Sequence, residues 1–329
     1  MIKSKILFVT TPIRPVPDSF PPYAILSIMK SLRKSGYNNS QFYNIDYLRP
    51  SISKAVDYII NYNPDALAIS AVVSTAYLYV KNLSIEVKKI RPDIPIICGG
   101  PLGASAEILL EKTGVDFVCI SEGESVMEDF LKRISKKPID RNYYLDVPGL
   151  VFYDNQKKLV TTGYPEQIDK KDIYDVDWND LTEKELKHYF PIIDAENISY
   201  GGDLRSVEHF GKSLMTIPGS KDCVAKCAFC HRWDKGIRYR PVDILMEKIK
   251  ECINNYNVAF IDLGDENFGT DKRWLKEFCS EIKKLNVLWK VGGMRVNCIS
   301  SEQLKMMKEA GNIRILASYN VNLLNRNYA

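Results

Sequence analysis

Short apolar runs alternate with segments of helical hydrophobic spacing through the first third of the chain. The runs cover residues 5–10, 41–45, 66–70, 95–98 and 116–120, each of strand length and rich in β-branched or apolar residues. Between them, Ala24, Ile25, Ile28, Met29 and Leu32 share one helix face, and Gly36 follows as a stop. Tyr77, Val80, Leu83, Val87 and Ile90 form a second stripe, ended by Pro92. This rhythm predicts an α/β fold in which helices cover a parallel sheet. Five strands fit a flavodoxin-like doubly wound domain over residues 1–137, whose ligand would sit beyond the carboxyl ends of the strands.

Residues 138–212 break the pattern. They are rich in Tyr, Asp, Asn and Gly, with a short hairpin expected at 149–153 and 159–162 around Asp154 and Asn155. Trp178, Tyr189 and Phe190 are too apolar for a free linker, so the segment is read as an ordered connector. A second alternation fills 213–329, with strands expected at 214–217, 258–263, 287–291 and 313–317. Pro241 opens a helix with Val242, Leu245, Ile249, Ile253 and Tyr256 on one face. Trp274, Leu275, Phe278, Ile282 and Leu285 mark the next helix; Ser300 and Gln303 cap the last, which closes at Gly311. Three such units make a partial (β/α) barrel, the N-terminal half only. The Asn-rich stretch 318–329 carries no periodicity, and a truncated, inactive product is one expectation.

Lys plus Arg total 45 against 41 Asp plus Glu, with the signs interspersed, so nothing points to nucleic acid. No apolar run approaches the roughly eighteen residues of a membrane span, and the first residues lack the apolar core of a signal peptide. A cytoplasmic protein is expected. In that setting the eight cysteines are read as thiols or metal ligands, not as a disulfide framework. Cys98, Cys119, Cys252, Cys279 and Cys298 stand alone, as small buried hydrophobes do.

Cys223, Cys227 and Cys230 cluster as C-x-x-x-C-x-x-C, with Phe229 before the third, between a short apolar strand and a helix. Three thiolates on one loop can hold three irons of a cubane and leave the fourth iron open to a small chelating molecule. The bland reading is a zinc site using His231, but no second ligand pair exists and adjacent Cys230 and His231 are poorly placed to share a tetrahedral ion. The motif resembles the signature of the radical S-adenosylmethionine (radical SAM) superfamily. The resemblance implies a [4Fe–4S] cluster that opens SAM reductively, an electron donor such as flavodoxin or ferredoxin, and a small-molecule substrate attacked at an unactivated carbon.

The same resemblance gives Asp265 and Glu266, after the second barrel strand, a place at the SAM amino group. Arg295 and Asn297 then reach its carboxylate or ribose, and Phe229 lines the cofactor. Arg238 and Arg240 are read as flanks of the following helix. The first domain resembles the cobalamin-binding module that precedes many radical SAM domains. This rests on the Pro-rich loop 11–22, on Ser70 with Ser74, on Gly99 and Gly100, and on Glu122, Gly123 and Glu124. Small residues there let a large planar ligand approach the backbone. Cobalamin would supply a methyl group, which makes methyl transfer the reaction implied first, with cyclisation or another rearrangement of the substrate as the alternatives. The Asp-x-His-x-x-Gly element that supplies a histidine to cobalt elsewhere is absent; His188, His209 and His231 all lie beyond the first domain, the first two as surface or packing residues. The rival is a non-enzymatic sensor module with a structural zinc or iron–sulfur knuckle. A Rossmann dehydrogenase is disfavoured because the first strand runs into Thr11-Pro12-Ile13, not a glycine-rich loop.

Overall fold

The computed structural model describes residues 4–134, 140–225, 227 and 236–318. Strands β1 (Ile6–Val9), β2 (Ser40–Tyr43), β3 (Ala66–Ser70), β4 (Ile96–Gly99) and β5 (Phe117–Cys119) form a parallel sheet in the order β2-β1-β3-β4-β5. Helices α1 (Tyr23–Lys34), α2 (Ile45–Leu48), α3 (Ile52–Tyr62), α4 (Tyr77–Ile90), α5 (Ala106–Lys112) and α6 (Gly123–Ile134) follow the strands. Side chains alternate across a strand. Thus Ile6 and Phe8 meet α1 and α6 through Ile25, Met29, Leu32 and Phe130, while Leu7 and Val9 meet α3, α4 and α5 through Val56, Ile59, Leu83 and Leu109. Each such side chain contributes about 1.5–3 kcal/mol by leaving water. The helix after β1 and the helix after β3 lie on opposite faces, so a crevice opens between the carboxyl ends of these neighbouring strands.

The sheet continues past residue 137. The hairpin expected inside the connector appears as β6 (Leu150–Tyr153) and β7 (Leu159–Thr161), and β6 pairs antiparallel with β5. Leu150 and Phe152 pack on Phe117 in the first core, which explains the docking. Beyond it, the connector is clasped to α1 by charge. Arg33 donates to both carboxylate oxygens of Asp180 at 2.7 and 2.8 Å, and Lys30 reaches Asp175 at 2.6 Å. Helix α7 (Glu183–Tyr189) opens on a capping box of Thr182 and Glu185.

The second sheet has β8 (Ser213–Ile217), an antiparallel ribbon of β9 (Ser220–Cys223) and β10 (Gly236–Tyr239), then α8 (Val242–Tyr256). It continues with β11 (Val258–Leu263), α9 (Lys272–Ile282), β12 (Leu288–Arg295), α10 (Ser301–Glu309) and β13 (Asn312–Ser318). Strands β8, β11, β12 and β13 are parallel in the order β13-β12-β11-β8, a partial barrel. One face buries Ile261, Leu263 and Val291 under the helices. The other carries Phe260 and Leu288 against Ile193 and Tyr200 of the connector, whose Tyr200 hydroxyl donates to the Ile261 carbonyl at 2.9 Å. Among the described residues no helix is long and apolar enough to cross a membrane.

Candidate functional site

The ribbon changes the expected setting of the cysteines. They do not pass straight from an apolar strand to a helix: Cys223 ends β9 and is paired in register with Gly236 of β10. Cys223 is buried and its sulfur accepts from the Ala225 amide at 3.3 Å; Cys227 is partly exposed. Cys230, Phe229 and His231 lie outside the described residues, and among those described no group of three metal-ligating side chains is assembled. Asp222 adopts a left-handed backbone (φ 69°), which aspartate tolerates better than most side chains do, and its carboxylate accepts from Arg238 at 2.9 Å. The isolated cysteines differ in kind. Burial pushes the Cys98, Cys252 and Cys279 thiols up to about 12 and that of Cys119 to about 11, which keeps them protonated and unreactive.

The carboxyl ends of β8, β11 and β12 lie side by side. Asp265, just past β11, turns its carboxylate to the amide of Gly219 at 3.0 Å and to the Ser220 hydroxyl. It therefore holds the turn that starts the cysteine ribbon. Burial raises its carboxyl to about 6 against the pull of these donors and of the Arg240 charge. Glu266 is exposed beside it. Asn267 is 0% exposed, and neither its side-chain amide nitrogen nor its side-chain oxygen has a hydrogen-bond partner within the protein, a costly state unless a group from outside the chain supplies one. Arg295 ends β12 and Asn297 follows it, exposed. The turn at Asp265 is possible because Gly293 of β12 has no side chain: a Cβ there would lie 2.0 Å from the Asp265 carbonyl oxygen.

At the carboxyl ends of the first sheet, Ser70, Gly99, Gly100, Glu122, Gly123 and Glu124 line one cavity of about 160 Å³. Ser74 instead is exposed in the turn before α4. Gly100 takes a positive φ of 91° and packs so closely on β3 that a Cβ would sit 2.6 Å from the Ala71 oxygen. The two acidic residues are not free ligands. Glu124 accepts from the Ser27 hydroxyl at 2.7 Å. Glu122 is buried and accepts from Lys221 at 2.6 Å, from Arg238 at 2.7 Å and from the Ile168 amide at 2.8 Å. Burial raises its carboxyl, but the two cations outweigh this and the net shift is down.

Lys221 and Arg238 belong to the cysteine ribbon, so the two sheets meet through the loops at their carboxyl ends. Elsewhere along this seam the Tyr23 hydroxyl donates to the Thr216 carbonyl at 2.7 Å, and Phe20 lies against Gly264. Sequence reasoning missed Lys221, and it marked Asn267 only as part of the 264–268 motif after β11, not as a site residue. It also took Arg238 and Arg240 for helix flanks, whereas both are buried and Arg240 is 1% exposed. Two arginines spaced to share a strand face were the available signal. His209 is a packing residue against Phe260, and His188 bonds the Asp18 carbonyl at 2.7 Å.

A doubly wound sheet and a partial parallel barrel, joined at their carboxyl ends, define a two-part cofactor-binding architecture. Residues 10–131 match the family model of the B12 binding domain. The anaerobic magnesium-protoporphyrin IX monomethyl ester cyclase of Cereibacter sphaeroides is 24% identical over 312 residues, 91% of this chain and 47% of the cyclase. The cytidylyl-2-hydroxyethylphosphonate methyltransferase of Streptomyces wedmorensis is 22% identical over 294 residues, 84% of this chain and 54% of that enzyme. The cobalamin-dependent S-adenosylmethionine radical enzyme OxsB, with aqua-cobalamin and S-adenosylmethionine bound, superposes with TM-score 0.72 at 16% identity, covering 96% of this chain and 44% of OxsB. The radical SAM methyltransferase TsrM of Kitasatospora setae, with cobalamin and a [4Fe–4S] cluster bound, gives TM-score 0.65 at 14% identity, covering 95% and 58%. The first domain therefore matches a B12 binding domain, and the chain as a whole shares the fold of these cobalamin-dependent radical SAM structures. It spans about half the length of the curated relatives it matches.

Proposed function

We propose that this chain holds the cofactors of a radical SAM enzyme that modifies an unactivated carbon of a small molecule, with methyl transfer as the preferred reaction and cyclisation or rearrangement as the alternatives. The observation that carries this reading is the seam, where a glycine-walled cavity abuts the strand that ends in Cys223. When bound, the cluster supplies the electron that opens SAM, and cobalamin carries a methyl group. The chain's own residues hold and orient. Cys223, Cys227 and Cys230 are the iron ligands. Asp265 fixes the Gly219–Ser220 turn that leads into β9 and Cys223. Glu266, Arg295 and Asn297 face SAM from the neighbouring strand ends, and the unpartnered amide of Asn267 fits a polar group of the same ligand. Ser70, Gly99, Gly100 and Gly123 line the cavity at which the corrin would dock, and the buried Tyr23 ties the seam together. A flavodoxin or ferredoxin in the cytoplasm supplies the electrons.

Anaerobic reconstitution tests the reading. About four irons per chain, an EPR signal altered by SAM, and binding of hydroxocobalamin support it; about one zinc per chain with no cobalamin uptake would sink it.

A further inference from the structure

We infer that Glu122 is a positioning residue that couples the two cofactor sites, so that filling the first-domain cavity favours cluster assembly on the cysteine ribbon and the reverse. The inference rests on the functional reading above and adds a linkage to it.

The argument starts in the ribbon. Lys221 and Arg238 face each other in register across β9 and β10, and like charges directly opposite one another weaken such a pair. Both are largely withdrawn from water, where the repulsion is less screened. The compensating charge comes from the other domain: the Glu122 carboxylate takes Lys221 at 2.6 Å and Arg238 at 2.7 Å. Arg238 passes the tie on to Asp222 at 2.9 Å, next to Cys223. Lys221 lies two residues before Cys223 on β9, with the Arg238-bound Asp222 between them.

Glu122 and Lys221 also line the cavity at the ends of the first sheet, together with Tyr174, over whose ring the Lys221 ammonium stands at 5.5 Å. A ligand in that cavity therefore rests on the same two side chains that set the ribbon's register and the stem of Cys223. A group shared by two sites couples their affinities, and the coupling is reciprocal by thermodynamic necessity.

The test is the ratio of hydroxocobalamin dissociation constants for the full chain without and with its reconstituted cluster. In the unmodified protein we expect binding at least about fivefold tighter with the cluster present, and slower removal of iron by a chelator when hydroxocobalamin is bound. Glu122→Gln should bring the ratio to within about twofold of unity while iron content persists, and Glu122→Asp should restore part of it. If Glu122→Gln fails to fold, Lys221→Gln, which leaves the Glu122–Arg238 pair, must lower the ratio alone. A ratio of one in the unmodified protein, or an unchanged ratio in either variant, overturns the coupling. Absence of iron or of hydroxocobalamin binding in the unmodified protein overturns the functional reading instead.

Discussion

At the scale of single residues, the cysteines separate by environment. Changing Cys223 to Ala should remove the cluster absorption band, whereas Cys252→Ala, which deletes a thiol packed in the second core, should keep it; loss of the band in both would refute the ligand assignment. Asp265 offers a test through pH. Its carboxyl sits at about 6 in the folded chain against an ordinary 3.8, so the folded state binds the proton more tightly than the unfolded state does. From about pH 4 to about pH 6 the folded chain holds more protons, and this group's contribution to stability falls as pH rises, then levels off. The Asn variant lacks this titration. Relative to Asp265→Asn, the natural protein should lose about 2–3 kcal/mol across that window, and parallel denaturation curves would contradict the assignment. Of these residues, the clustering of the three cysteines was legible from spacing alone, their role as ligands being the proposal that the absorption band tests. The Lys221–Glu122 contact was not, because an ion pair between distant parts of a chain leaves no periodic trace.

At the scale of elements, legibility followed burial. Strands β3 and β4 are covered on both faces and read as unbroken apolar runs. The ribbon strands, Ser-Lys-Asp-Cys and Gly-Ile-Arg-Tyr, are short and polar, and nothing in their pattern distinguishes them from a loop. The β6–β7 hairpin was visible, but its docking on β5 depends on contacts with Phe117 that only the assembled core provides. Strand β12 supplies a paired test in Gly292 and Gly293. An added Cβ at Gly293 collides with the backbone at 265 and 266, whereas one at Gly292 meets nothing within 4 Å. Gly293→Ala should cost about 1–3 kcal/mol and displace the Asp265 turn, while Gly292→Ala should shift the urea midpoint little. Equal effects would mean that the turn does not lean on β12.

At the scale of the whole molecule, the clasp between α1 and the connector helps to set the two sheets. Arg33 binds Asp180 in a two-pronged, partly buried pair, so Arg33→Ala should cost about 1 kcal/mol, less at high salt. Faster proteolysis between residues 165 and 182 would report it, and an unchanged cleavage rate would show that apolar contacts alone keep the connector in place. The ribbon has a wider consequence. Cys223 and Gly236 are already zipped together across the two strands, so the ends of the intervening chain are tethered by ordinary protein forces before any inorganic guest arrives. Unlike a zinc finger, whose shape dissolves when its ion is stripped away, the paired ribbon should hold its form without a metal. Far-ultraviolet circular dichroism should barely change on iron extraction, and repeated loading and unloading should be reversible.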